Sequence, residues 1–267
     1  MPVSPEEKPP KLLRRLAERF SRGIVFKRNL PKQFHAGKIF VSPDAGLKYL
    51  RFDYSRLEPV LFRMASELVR EGDVVWDIGA NVGLFAFAAA GQAGARGQVV
   101  ALEPDPWLAS LLRRSAALDT PPRARVTVIA AAASDSLSLA QLHVAARARA
   151  SNYLDGGGST QTGGSRETQT VVTVTLDWLL DHLPAPQVVK IDVEGVEDRV
   201  LLGARRLLTT VKPKIWCEVC ERNRLQVTQL LRDSGYGLYS ATEESSGRVP
   251  LRRAAWDTLA LPIATMP

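Results

Sequence analysis

The stretch Val74-Val75-Trp76-Asp77-Ile78-Gly79-Ala80-Asn81-Val82-Gly83, followed by the apolar run Leu84-Phe85-Ala86-Phe87-Ala88, decides the fold of this chain. Residues 73–78 predict a buried strand. Gly79 and Gly83 predict a tight turn out of which a helix over 82–91 starts at once. In an open α/β sheet such a turn lies at the carboxyl ends of the strands, in the crevice where ligands bind. Gly79 lets the backbone come close to a ligand, and Gly83 lets the helix pack tightly on the strand.

The spacing separates two ligand classes. A dinucleotide site needs G-x-G-x-x-G, with helix-terminal N–H groups on a pyrophosphate. Here the pattern is Asp-x-Gly-x-Asn-x-Gly, with Asp77 two residues before the first glycine and no third glycine in register. A carboxylate against a pyrophosphate is repelled. Beside S-adenosylmethionine, which carries an ammonium and a sulfonium and no phosphate, it is favourable. Asp77 therefore reads as facing the methionine end of that cofactor.

Further along, residues 98–102 predict a second strand ending in Glu103-Pro104-Asp105, and an acid at that tip takes ribose hydroxyls in either cofactor class. A helix over 105–118, the punctuation Pro121-Pro122 and a third strand over 126–131 follow. That strand leads to Ala132-Ala133-Ser134-Asp135, where a short polar side chain can reach an adenine amino group. Residues 137–144 and 170–175 read as further strands. Helices over 176–183, 196–208 and 223–234 alternate with strands over 188–193 and 214–219, and 236–240 with 257–261 form a closing antiparallel pair. The expected fold is α/β: a doubly wound, mostly parallel, Rossmann-like sheet with an antiparallel closing strand.

Upstream, residues 1–10 read as a disordered leader, 11–20 as a short amphipathic helix, 24–52 as a strand or hairpin and 57–68 as a helix. The expected division is a basic N-terminal arm and hairpin extension over 1–54 and a cofactor-binding domain over 55–267. A flexible Gly-rich loop over 151–170 lies in the second, carrying five of the chain's 19 glycines; lid and inert insertion are both open for it.

The 267 residues, 45% hydrophobic and 24% charged, exclude wholesale disorder and collagen-like repeats. The net charge of +7 resides in residues 1–38, where ten Lys/Arg face Glu6, Glu7 and Glu18; the remainder is balanced. A solvated helix face or contact with an anionic surface both explain that arm, and no nucleic-acid partner is expected. The longest apolar run, around Leu84–Ala90, is too short to span a membrane. No secretory signal is evident and two cysteines make no disulfide framework, so a cytoplasmic protein is expected.

The reaction side is carried by Val188-Val189-Lys190-Ile191-Asp192-Val193-Glu194-Gly195-Val196-Glu197. The two-residue repeat puts Lys190 and Asp192 on one face. A lysine inside an apolar strand needs a carboxylate partner. Asp192 or Glu194 is placed to meet a substrate hydroxyl, and Glu218 in the next strand stands at a comparable height. A divalent ion on Asp192 and Glu218 is a weaker option, and no metal ligand is assigned. Cys217 and Cys220 read as buried thiols rather than a zinc or redox pair. His35, His143 and His182 follow no ligand spacing, and Trp107 is open between adenine contact and core packing.

Taken together, Trp76–Gly83, Glu103-Pro104, Ser134-Asp135, Leu176-Asp177, Lys190–Gly195 and Glu197 resemble the FkbM-type methyltransferases, over about residues 55–220, with Leu57-Glu58-Pro59 also fitting. The resemblance implies a class I, S-adenosylmethionine-dependent fold that methylates a hydroxyl on a sugar or secondary metabolite, a small-molecule acceptor. By position, the expected cofactor contacts are Asp77, Gly79, Ala80, Asn81, Gly83, Glu103, Pro104, Ser134, Asp135 and Asp192. The expected catalytic side is Asp192, Glu194, Lys190 and Glu218. N-methylation, a nicotinamide-type oxidoreductase and a noncatalytic cofactor-binding protein are the alternatives, and a homo-oligomer is compatible with all of them.

Overall fold

Successive residues of the central strands drop into two different apolar cores, which is why one sheet is covered by helices on both faces. Val75, Val99, Ala101, Val188 and Trp216 belong to one core. Their neighbours Trp76, Val100, Leu102, Val189, Ile215 and Cys217 belong to the other. The computed structural model describes residues 18, 20–35, 37–51, 53–118, 122–158 and 164–263. The expected leader, nearly all of the helix expected over 11–20, and Pro121 lie outside them.

Strands β1 (Phe26–Asn29) and β2 (Lys38–Val41) form an antiparallel hairpin. Helices α1 (Tyr54–Leu57) and α2 (Pro59–Leu68) lead to β3 (Val74–Ile78), α3 (Leu84–Ala93), β4 (Gln98–Leu102), α4 (Pro106–Ala116) and β5 (Arg125–Ile129). A second group of strands follows: β6 (Ala132–Ala133), β7 (Ser138–Ala145), β8 (Tyr153–Leu154) and β9 (Ser165–Val174). The chain then runs through α5 (Leu176–Leu180), β10 (Val188–Ile191), α6 (Glu197–Leu202), β11 (Lys214–Glu218), α7 (Arg224–Asp233), β12 (Tyr236–Ser240) and β13 (Asp257–Pro262).

The central sheet has seven strands in the order β12-β13-β11-β10-β3-β4-β5. Neighbouring strands are parallel throughout except at β13, which is antiparallel to both β11 and β12. Chain order reverses between β3 and β10, so the crevice of the sheet opens at their carboxyl ends, beside Gly79 and Asp192. The hairpin is not a separate unit. Phe34, Ile39, Val41 and Tyr49 are buried in the same core as Phe85 and Phe87 of α3.

Three expectations are corrected. Residues 137–144 and 170–175 are strands, but they leave the main sheet and form a second, four-stranded one in the order β6-β9-β7-β8. Among the described residues only a 3-10 turn (Arg149–Ser151) and β8 lie between β7 and β9, with no α-helix to carry a crossover, and the two strands pair antiparallel. The loop expected over 151–170 shrinks accordingly, because β8 and the first six residues of β9 lie inside it; residues 159–163 are outside the described set. The helix expected over 196–208 ends at Leu202, and a separate π-helical turn occupies Leu207–Val211. Among the described residues no helix is long and apolar enough to cross a membrane.

Candidate active site

Register places the central charges. Lys190 of β10 lies directly opposite Asp77 of β3 on one side and Trp216 of β11 on the other, so all three side chains share a face. The Lys190 ammonium is 3.5 Å from Asp77 Oδ1 and donates to Asp192 Oδ2 at 3.1 Å. Asp77 is 0% and Lys190 4% exposed, which makes this the buried ion pair the strand pattern called for. Burial pushes Asp77 above the ordinary carboxylate range, with Lys190 opposing. Burial pulls Lys190 down, and the charges of Asp192, Asp77 and Glu218 more than reverse this.

Two loops meet above this pair. Gly79 has φ +79°, and a Cβ there would fall 1.8 Å from the carbonyl oxygen of Asp192. Asn81 and Glu194 both hold φ +53°, a left-handed conformation that L residues rarely adopt. The loop after β10 is pinned from outside: buried Glu197 accepts from the Gly195 amide at 2.6 Å and from Asn223 Nδ2 at 2.7 Å. Arg222 donates to the carbonyls of Gly156, Gly157 and Gly195, tying the end of the second sheet to the same loop.

Glu103, 5% exposed, accepts from the amides of Asn81 at 2.7 Å and Asp105 at 2.9 Å. Burial outweighs these bonds and lifts its carboxyl to about 8. Asp105 caps α4 by accepting from the amides of Trp107 and Leu108. Arg149 joins Asp105 to Asp44 in the turn after β2, at 2.5 Å and 2.9 Å, and covers the Trp107 ring at 4.9 Å.

Two contiguous cavities result. The first holds about 570 Å³ between Gly79, Asn81, Glu103-Pro104 and Ala131–Ala133 below and Leu142, Arg149 and Asn152–Leu154 of the second sheet above, with Asp192, Glu194 and Val196 closing it. The second, about 640 Å³, is bounded by Lys48 and Tyr49 from the N-terminal extension, by Glu58 between α1 and α2, and by Asp77, Lys190, Asp192, Glu194 and Glu218. Gly79, Asn81, Ala150, Asp192 and Glu194 line both. Burial, then the charge of Asp192, raises both Glu194 and Glu218.

Among the expected site residues, Asp77, Ala80, Lys190 and Glu218 border the second cavity, Glu103 and Pro104 the first, and Gly79, Asn81, Asp192 and Glu194 both. Three expected cofactor contacts lie elsewhere. Ser134 and Asp135 do not line either cavity; their backbone packs against Gly203, and Asp135 accepts hydrogen bonds from Ser134 and Ser136. The chain enters β6 and the second sheet at that point, which turns Asp135 outward. Gly83 also lines neither cavity, since a Cβ there would strike Leu112 and Phe87, so its role is packing of α3. Trp107 packs under Arg149. Sequence reading missed Lys48, Tyr49, Arg149, Asn152 and Tyr153, which come from the extension and the second sheet. Glu58 carried a signal only within Leu57-Glu58-Pro59. Among the described residues no group of three or more His, Cys, Asp and Glu is arranged to hold a metal.

The sheet order, with one antiparallel strand set beside a parallel core and the crevice between β3 and β10, is the class I methyltransferase fold. Residues 77–238 match the methyltransferase FkbM domain, and the chain belongs to that family. Hexuronic acid methyltransferase AglP of Haloferax volcanii is 33% identical over 158 residues, 58% of this chain and 60% of AglP, so the chain spans less than two thirds of that relative. Methyltransferase FkbM from Methylobacillus flagellatus is 17% identical, with 79% of this chain and 55% of that one covered at a TM-score of 0.45. Aeropyrum pernix fibrillarin, solved with natively bound S-adenosyl-L-methionine, is 15% identical, with 90% and 83% covered and a TM-score of 0.44. The residues present fit the family's cofactor, S-adenosylmethionine. Both carboxylate oxygens of Asp77 and Oδ1 of Asn81 are buried without a hydrogen-bond partner, and the Gly79 turn leaves no room for a side chain.

Proposed function

We propose that the chain is an S-adenosylmethionine-dependent O-methyltransferase whose acceptor is a hydroxyl of a sugar or secondary metabolite. The observation that carries this is the pair of joined cavities at the switch point of the sheet, one largely apolar and one lined by carboxylates, meeting at Gly79, Asp192 and Glu194. In this reading Glu103 takes the ribose hydroxyls, Asp77 faces the methionine ammonium, and Ala131–Ala133 with Leu142 and Leu154 enclose the adenine. When bound, the cofactor supplies a methyl group already activated on a sulfonium. The chain's task is to hold the acceptor oxygen in line with that methyl, for which orientation alone contributes about 7–11 kcal/mol. Glu194 takes the hydroxyl proton, and Asp192, fixed by Lys190, orients the acceptor. A sugar acceptor agrees with the hexuronic acid in the name of AglP.

Calorimetry with S-adenosylhomocysteine and with NAD tests the cofactor half. Heat from the first and none from the second is expected; the reverse would overturn the proposal. Isotope-labelled S-adenosylmethionine incubated with the chain and a small-molecule extract tests transfer, and label confined to the donor would leave a noncatalytic binding protein.

A further inference from the structure

We infer that the acceptor of this site carries no carboxylate near the reacting hydroxyl: it is a neutral or amino-bearing polyol ring, a sugar-like compound that differs in charge from the hexuronic acid in the name of AglP. The inference rests on the methyltransferase reading above and adds the charge of the acceptor to it.

Every described cation that lines either cavity already has a carboxylate partner. Lys48 is paired with Glu58, Lys190 with Asp77 and Asp192, and Arg149 with Asp44 and Asp105. A carboxylate acceptor would have to break one of these pairs, two of them buried, and strand the acid left behind. The carboxylates are differently placed. Glu194 and Glu218 border the second cavity, and the structure gives their side chains no hydrogen bond and no ion pair. Fully buried Asp77 borders the same cavity with the Lys190 ammonium 3.5 Å from Oδ1, and its Oδ2 has no hydrogen-bond partner among the described residues. Ionised, these groups only accept, and burial with the charge of Asp192 already works against ionising Glu194 and Glu218, so the chamber holds more acid than its cations balance. The cofactor's ammonium answers Asp77; Glu194 and Glu218 require hydroxyl or ammonium donors from the acceptor. A further negative charge in a partly desolvated space shared with Asp192, Glu194 and Glu218 would be repelled.

The test uses the full chain. It is incubated with methyl-labelled S-adenosylmethionine and a small-molecule cell extract, and the products are hydrolysed in acid to monomers. Acid splits off nucleotide and anomeric phosphate groups, phosphatase then removes the remaining phosphate monoesters, and carboxylates stay in place. Electrophoresis near pH 5 then sorts labelled monomers by charge. At least ten-fold more label is expected in neutral and cationic monomers than in anionic ones. Label mainly in anionic monomers, from a chain that gives heat with S-adenosylhomocysteine, overturns this inference and leaves the methyltransferase reading standing; absence of that heat brings down the reading itself. In Glu218→Gln, which keeps the shape and removes one charge, the anionic share of the label should rise at least three-fold. An unchanged share would overturn the part assigned to Glu218.

Discussion

Gly79 shows how one position can be dictated twice, by its left-handed φ and by the Asp192 carbonyl that occupies the place of a side chain. Gly79→Ala should therefore lose roughly 1–3 kcal/mol from overpacking alone, read as a lower urea midpoint, with weaker S-adenosylhomocysteine binding. Glu103 makes a pH-dependent prediction. Its carboxyl titrates near 8 in the fold and near 4.5 when unfolded, so the native state binds more protons between those values. Stability of the free protein should then fall as pH rises from about 5 to about 8, and melting curves of Glu103→Gln should show a shallower fall. On the reaction side, Asp192→Asn and Glu194→Gln should each cut turnover, by about 10²–10⁴-fold where the proton is taken, with cofactor affinity nearly intact; unchanged turnover in both would remove the general-base role. At this scale Asp77, Lys190 and Asp192 are legible in the chain because strand periodicity and the cost of a lone buried charge leave few alternatives. Asp135 is not legible: which way a residue faces after a strand depends on where the next strand goes.

At the scale of elements, α4 and the second sheet are joined through one side chain. Arg149, just before β8, reaches the N-cap acid of α4 and Asp44 in the turn after β2, and all three side chains are buried or nearly so. Arg149→Ala leaves buried Asp105 without its cation, while Asp44 keeps Arg166 at 2.9 Å, and should cost about 3–5 kcal/mol, measured by chemical denaturation. Arg149→Lys should recover only part, since one ammonium cannot span both acids as a guanidinium does. The helices and parallel strands of the main sheet follow from hydrophobic periodicity. The second sheet does not, because β7 and β9 have the same alternation as any half-buried strand and only their mutual pairing separates them from the main sheet. The glycines at 156–158 suggest a loop by composition, yet Arg222 and the Glu194 carbonyl hold them in place.

For the molecule as a whole, the hairpin before α1 is part of the core and not an appendage. Phe34 stacks on Phe62 with centroids 5.2 Å apart, and Lys48 and Tyr49 wall the second cavity. A chain beginning at Asp53 strips those aromatics from the core, and it should lose its cooperative thermal transition along with methyl transfer. The sequence by itself determined the mostly parallel α/β frame, the crevice at the carboxyl ends of its strands and the acids at the tips of β3, β4 and β10. Local periodicity and glycine spacing encode these directly. Only the tertiary structure decided that a second sheet and the N-terminal extension complete the two cavities, and that every described cation lining them is already paired. Several of those contacts join residues a hundred or more positions apart, such as Arg149 with Asp44 and Lys48 with the cavity of Asp192, and long-range register leaves no periodic trace in the chain.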